Sequence, residues 1–263
     1  MSEAQVLFLG TGGAFSAGQR TNLALIVEQS DFRMLVECGP MLMHQLAAAS
    51  LSAADVEHIF ITHTHGDHAL GFPMLVLGQL DTGIPLHIYT GNSSVSTLLK
   101  LWELAYPGFD PDRLNLHWHA RSEGAIEVAE MVPGVTLHTG LVPHAPGVPT
   151  LAARWSFANG QSIAFATDTV PNPTTLELAR DCDLLIHEAS YSAVLQPGLD
   201  PAETFHSTAR QAGVIAHRAG CRRLALVHLG PVTGAHPEII AEEARADTDL
   251  EVIVPWDGER VTI

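Results

Sequence analysis

Apolar residues fall along this chain in short blocks, and most blocks have the length of a strand. Val6–Leu9 is one such run, closed by Gly10, Gly12 and Gly13. Leu23–Val27 and Arg33–Glu37 flank a polar turn at Ser30 and Asp31 and predict a hairpin. Glu57–Thr62 predicts a buried strand, because Ile59, Ile61 and Thr62 are β-branched. Leu86–Thr90, Leu151–Phe157, Ser162–Ala166, Leu184–His187, Arg223–His228 and Val252–Val254 complete the predicted strands. Helices are predicted at Met41–Ala49, Ser93–Leu104, Thr174–Arg180, Ser207–Ala219 and Pro237–Arg245. Ser207 or its neighbour is a suitable N-cap, and Pro237 suits a first helical turn. Strands do not alternate strictly with helices, so the pattern predicts packed sheets with helices outside, not one doubly wound sheet. No linker, charge block or short repeat divides the chain, and one domain over residues 1–263 is expected.

Composition narrows the class. The 263 residues are 46% hydrophobic and only 16% charged, which excludes wholesale disorder. The 13 Lys and Arg stand against 29 Asp and Glu, a net charge of −16 that repels a phosphate backbone over most of the surface. Cys38, Cys182 and Cys221 are too few and too scattered for a disulfide framework or a paired-cysteine zinc site, and a reducing compartment fits them. The first residues carry no basic segment and read as a first strand, not a signal peptide; no apolar stretch reaches membrane-spanning length. The expectation is a cytoplasmic protein with no membrane partner. The 15 His are unusual beside 13 Lys and Arg together.

The strongest chemical signal is Phe60-Ile-Thr-His63-Thr-His65-Gly66-Asp67-His68, directly after a predicted strand. Extended backbone puts His63 and His65 on one face. Gly66 permits a sharp turn that sends Asp67 and His68 toward a second centre. Imidazole with carboxylate suits zinc or a similar divalent ion.

The run resembles the H-x-H-x-D-H signature of the metallo-β-lactamase superfamily, which implies an α+β fold, the four-layer αββα sandwich. Its later ligands are matched by His144 in Val-Pro-His-Ala, Asp168 in Ala-Thr-Asp-Thr and His228 in Leu-Val-His-Leu. By resemblance, one ion takes His63, His65 and His144, the other takes Asp67, His68 and His228, and Asp168 bridges them. Phe8-Leu-Gly-Thr-Gly-Gly, Leu185-Ile-His-Glu-Ala-Ser and His206-Ser-Thr-Ala-Arg are similar to the ribonuclease Z branch. That branch pairs an acid with a histidine beside the metals, here Glu188 and His206; Ser190 replaces the usual Thr. The resemblance implies two divalent ions, Zn2+ first with Mn2+ or Fe2+ as alternatives, and a metal-activated hydroxide. His206, held by Glu188, is suited to protonate a departing alkoxide, and Asp67 to orient water. Gly10-Thr-Gly-Gly is expected to bring the first strand close to the metal rim. Glu37 stands where relatives carry Asp, which puts its support of a ligand histidine in question, and Cys38 reads as a small buried hydrophobe.

One departure changes the substrate. Ribonuclease Z enzymes carry a Lys-rich arm that grips tRNA, in the bacterial short form inserted between the matches of His144 and Asp168. These are 24 positions apart here, room for a hairpin only, and Lys100 is the only lysine. With the acidic charge, this disfavours nucleic acid and points to a small-molecule substrate, a cyclic or linear phosphodiester first. A carbonyl hydrolase (lactonase, esterase, thioesterase or β-lactamase-like) is the alternative, since Lewis-acid activation serves both. A tRNA-processing enzyme and a non-catalytic metal-binding protein rank lower. Trp102–Trp118, with Tyr106, Pro107, Phe109 and Pro111, is weighed as an aromatic loop at the mouth or as helix-end packing. By resemblance, a homodimer is the expected assembly.

Overall fold

A computed structural model of the chain describes residues 2–15, 20–80, 82–109, 114–246 and 248–263. Pro111 and Arg113 lie outside them. Two seven-stranded sheets are stacked on each other. The first runs β14-β1-β2-β3-β4-β5-β6, made of Arg260–Thr262, Gln5–Gly10, Ala24–Gln29, Phe32–Val36, His58–Ile61, Leu86–Gly91 and Leu116–Arg121. The second runs β13-β12-β11-β10-β9-β8-β7, made of Glu251–Ile253, Arg223–Val227, Leu184–Glu188, Ser162–Ala166, Thr150–Phe157, Val135–Val142 and Glu127–Val132. Both sheets have the same plan: antiparallel from β1 to β3 and from β7 to β10, parallel from β3 to β6 and from β10 to β13.

Side-chain alternation explains the stacking. Phe8, Val27, Met34 and Phe60 point inward from the first sheet and meet Leu137, Leu151, Trp155, Ile163 and Ile186 of the second. Their neighbours Leu9, Ile26, Leu35, Ile59 and Ile88 point outward. They are covered by α1 (Leu42–Ala48), α3 (Phe72–Gln79) and α4 (Asn92–Ala105) through Leu46, Leu75, Leu98 and Trp102. Leu185, Leu224 and Leu226 face α6 (Ala209–Ala219) and α8 (Pro237–Arg245) through Ala212, Ile215 and Ile240, while α5 (Pro173–Leu178) packs beside β8. The result is the expected helix–sheet–sheet–helix sandwich. No helix among the described residues is long and apolar enough to cross a membrane.

Several local expectations are refined. Thr208 caps α6, accepting from Gln211 N–H in a capping box, whereas Ser207 donates to Thr169 C=O. Pro237 opens α8 as expected. The strand prediction omitted β6, β7, β8 and β14. In β6, Leu-His-Trp-His-Ala-Arg has only half-buried Leu116, Trp118 and His119, with His117 and Ala120 exposed, so hydropathy does not mark it. The span from His144 to Asp168 holds the β9–β10 hairpin, with its turn at Ala158-Asn159-Gly160.

Among the described residues of Trp102–Trp118, the aromatic side chains of Trp102, Tyr106, Phe109 and Trp118 serve as packing. Trp102 is buried and contacts Tyr106 and Phe109 rings at 4.7 and 5.5 Å, on the outer side of the first sheet.

Candidate metal centre

All the predicted donors sit just beyond strand ends at one edge of the sandwich. His63 and His65 follow β4, His144 follows β8, Asp168 follows β10, Glu188 ends β11 and His228 follows β12. Asp67 and His68 lie on the one-turn helix α2 (Gly66–Ala69), entered through extended His65. The sharp turn expected at Gly66 is the opening of this helical turn. The two sheets are tied together here: Leu151 N–H donates to Thr62 C=O at 3.1 Å, and Gly13 N–H donates to Leu229 C=O at 3.0 Å. A β-carbon on Gly13 would stand 3.0 Å from the His228 ring, so the glycine-rich turn does reach the rim.

The first donor group is His63, His65, His144 and Asp168. His65 Nδ1 lies 3.0 Å from His63 Nε2 and 3.1 Å from His144 Nε2. The second group is Asp67, His68 and His228, with Asp67 Oδ2 3.3 Å from each imidazole. Asp168 lies between the groups. Its Oδ2 is 3.7, 3.6 and 3.4 Å from His63, His144 and His68, and its Oδ1 is 3.2 Å from His228.

The opposite ring nitrogens show why these atoms converge. His63 Nδ1 contacts Thr62 Oγ1 at 2.9 Å, and His68 Nδ1 faces Glu37 at 3.3 Å. His144 Nδ1 faces Phe205 C=O at 3.4 Å, and His228 Nδ1 contacts Ser190 Oγ at 3.0 Å. With Nδ1 occupied on four rings, Nε2 is the free donor on each, an arrangement that orients metal ligands. Glu37 therefore reaches His68 despite its extra methylene. The backbone is held too: Glu37, Asp168, Phe205 and His228 all have left-handed φ, between +49° and +69°. Such conformations are uncommon outside glycine and concentrate at functional sites.

Electrostatics agree with a cation-binding site. Burial alone would raise Asp67, but hydrogen bonds from His228 and His68 hold it far below the carboxylate range. Asp168 is also held low: burial opposes, and His228 and His68 overcome it. Burial pushes His63 and His144 down, leaving neutral imidazoles with lone pairs to give. Five imidazoles and two carboxylates, largely buried and gathered in groups whose ligand atoms lie within 4.8 Å of one another, are a donor set that divalent ions fit.

Beside this cluster, Glu188 and His206 come together as expected. His206 Nδ1 faces both Glu188 oxygens at 3.1 Å. Glu188 is fully buried and also accepts from Thr169 N–H and Ser190 Oγ, each at 2.6 Å. His206 is desolvated, which works against its cation, but Glu188 outweighs this and raises it to about 9. His206 also lies with Asp168 and His228 in a third possible donor group. Sequence reasoning noted Ser190 only as a substitute for Thr; here its hydroxyl touches Glu188, His206 and His228 together. A cavity of about 300 Å³ opens over His206 and His228, lined by Phe15, Tyr191, Gln196, Thr204 and Val232. Phe15 and Tyr191 are its aromatic residues, and nothing in hydropathy or spacing singled them out.

The chain matches a family described as "Anti-Pycsar protein Apyc1" over residues 4–211. A protein named ribonuclease Z from Halorubrum lacusprofundi is 31% identical over 305 aligned positions, covering 98% of this chain and 97% of the relative. Since 305 exceeds 263 by 42, at least that many positions of the relative stand opposite gaps here. The metallo-β-lactamase fold protein YhfI from Bacillus subtilis is similar in structure, with a TM-score of 0.83 at 21% identity over all of both chains. The short form of human tRNase Z gives 0.78 at 24% identity, covering 98% of this chain and 99% of that one.

Proposed function

This chain belongs to the family described as Anti-Pycsar protein Apyc1, among the metallo-β-lactamase-fold hydrolases related to ribonuclease Z, and from that premise we propose that it hydrolyses a small phosphodiester, cyclic or linear. It is a metal-dependent hydrolase; the substrate, the ligand assignment and the ion count are the proposal. His63, His65 and His144 would hold one ion, Asp67, His68 and His228 the other, and Asp168 both. When bound, divalent ions polarise the phosphoryl group and lower the pKa of water, and Zn2+ suits this nitrogen-rich set first, with Mn2+ or Fe2+ as alternatives.

The protein's own residues supply the rest. Asp67, kept ionised, orients the attacking water as an acceptor. His206 delivers the proton that a departing alkoxide needs, and Glu188 keeps that proton on His206 near neutral pH. Ser190 holds Glu188, His206 and His228 in one frame.

The observation that carries this reading is the Glu188–His206 pair beside the donor cluster. A thiolate leaving group needs no strong acid, whereas an alkoxide does, so the pair weighs against a thioester; kinship with ribonuclease Z favours a phosphodiester over an ester or lactone. The short β9–β10 hairpin and the net charge of −16 support a small substrate over tRNA. The three cysteines are free and buried, which supports the cytoplasm as its compartment, and a homodimer is proposed on family grounds.

The test is metal quantification joined to a substrate panel on the metal-loaded protein: cyclic and linear nucleotides, a model phosphodiester, a lactone and a thioester. Turnover of phosphodiesters supports the reading. Rapid lactone or thioester cleavage with phosphodiesters left intact overturns it.

A further inference from the structure

Nine histidines remain outside the donor cluster and its partner, and four of them gather elsewhere. His58, His87 and His117 are register partners across β4, β5 and β6. Their rings stack at 5.0 and 4.9 Å. His119, two residues along β6, lies with its Nε2 2.9 Å from His87 Nδ1. His119 is itself stacked on Tyr89 at 4.3 Å, nearly parallel. Both rings are thus clamped from the side, His87 between two imidazoles and His119 on a phenol, and both are half-exposed.

We propose that His87 and His119 form a second, independent cation seat, a cross-strand pair that takes a copper(II)- or nickel(II)-like ion in two adjacent equatorial positions. The distance, that of a ring–ring hydrogen bond, also fits one coordination angle. With metal–nitrogen bonds of about 2.0–2.1 Å, two ligands at a right angle place their nitrogens ~2.9 Å apart, and two tetrahedral ligands place them ~3.3–3.4 Å apart. The observed 2.9 Å is the right-angle value, the geometry of tetragonal Cu(II) and Ni(II). In the ion's absence one ring donates its N–H to the other; on binding, that proton moves to the donor ring's far nitrogen and both lone pairs face the ion. Partial burial lowers both imidazoles from their ordinary value, which keeps them neutral at pH 7. The chain's net charge of −16 draws cations to its surface, and nearby Glu57 faces His87 while Arg121 faces His119. Among the described residues no third His, Cys, Asp or Glu completes a three-ligand group here, so water fills the other positions. Because β6 ends its sheet, a bound ion would pin the edge strand to β5.

The experiment starts from protein whose catalytic centre has been filled with Zn2+ and desalted. Cu2+ is then titrated in, with bound copper and zinc quantified and the copper followed by electron paramagnetic resonance. The expected result is one further equivalent of Cu2+ with two equatorial nitrogens, all zinc retained. His119→Gln should bind that equivalent at least tenfold more weakly and keep wild-type hydrolysis; His87→Gln repeats the test from the other strand. Equal copper uptake by both variants overturns the proposal, as does copper entry only in exchange for zinc.

Discussion

Replacing Glu188 by Gln removes one charge from a fully buried site while leaving an oxygen to accept from Thr169 N–H. His206 then loses the carboxylate that outweighs its desolvation. It is raised to about 9 in the native site, from an ordinary 6.5. At pH 8 a group at 9 is ~90% protonated and one at 6.5 ~3%, a ratio of about 30; at pH 6.5 the ratio is only about 2. The sign is fixed by the direction of the shift: a raised value keeps the proton on as pH rises, so the variant's deficit must grow with pH. Bound cations push both values down together, which raises the ratio at every pH and moves its growth to lower pH, so the whole profile of the two enzymes is compared. The assay is kcat from pH 6 to 9.5 on two phosphodiesters, one releasing an alkoxide and one releasing p-nitrophenolate, which departs without a proton. Glu188→Gln should lose at least about 2-fold at pH 6.5 and at least about 30-fold at pH 8 on the first substrate, because desolvation without the carboxylate holds His206 below its ordinary value, and little on the second. A loss that is the same at every pH, or the same on both substrates, would refute the acid role and leave Glu188 as scaffolding.

Ser190→Ala removes the hydroxyl shared by Glu188, His206 and His228 and should cost about 10–100-fold in activity or metal affinity, while Ser190→Thr should stay within a few-fold. Asp168→Asn should lower bound metal, read by elemental analysis, and reduce turnover by at least about 100-fold, because that carboxylate faces both donor groups. Full metal content in this variant would argue against a shared ligand. His58 carries a different prediction: burial and the neighbouring His87 lower it to about 4. The unfolded chain therefore binds the extra proton between pH 6.5 and 4, and stability falls as pH drops through that window, by up to about 3 kcal/mol. Urea midpoints against pH should show a shallower acid slope for His58→Phe than for the native protein; parallel slopes would remove His58 from the account.

The seven-donor cluster was legible because its signature is chemical. Four donors in six residues after an apolar run have little other use, and each later match adds one residue beyond a strand. The β9–β10 hairpin was legible because strand length and turn chemistry agree there. Other features were hidden for physical reasons. β6 and β8 place His119 and His138 at half-buried positions and His117 at an exposed one, so they score as polar although they pair as strands. Ser190 works through three contacts made in space between β11, α6 and β12, and no spacing in the chain encodes that. The left-handed φ of Asp168 and His228 sits on residue types that do not announce it as glycine would.

The donors divide between the halves of the sandwich. His63, His65, Asp67 and His68 follow a strand of the first sheet, whereas His144, Asp168 and His228 follow strands of the second. Neither half holds enough of them to build either ion seat as proposed, since the first seat needs His144 and the second needs His228. The smallest heritable unit of this chemistry is therefore the docked pair of sheets. A fragment spanning β1 to β6 would carry four of the seven proposed donors, and the sheet it encodes is itself completed only by β14 from the end of the chain.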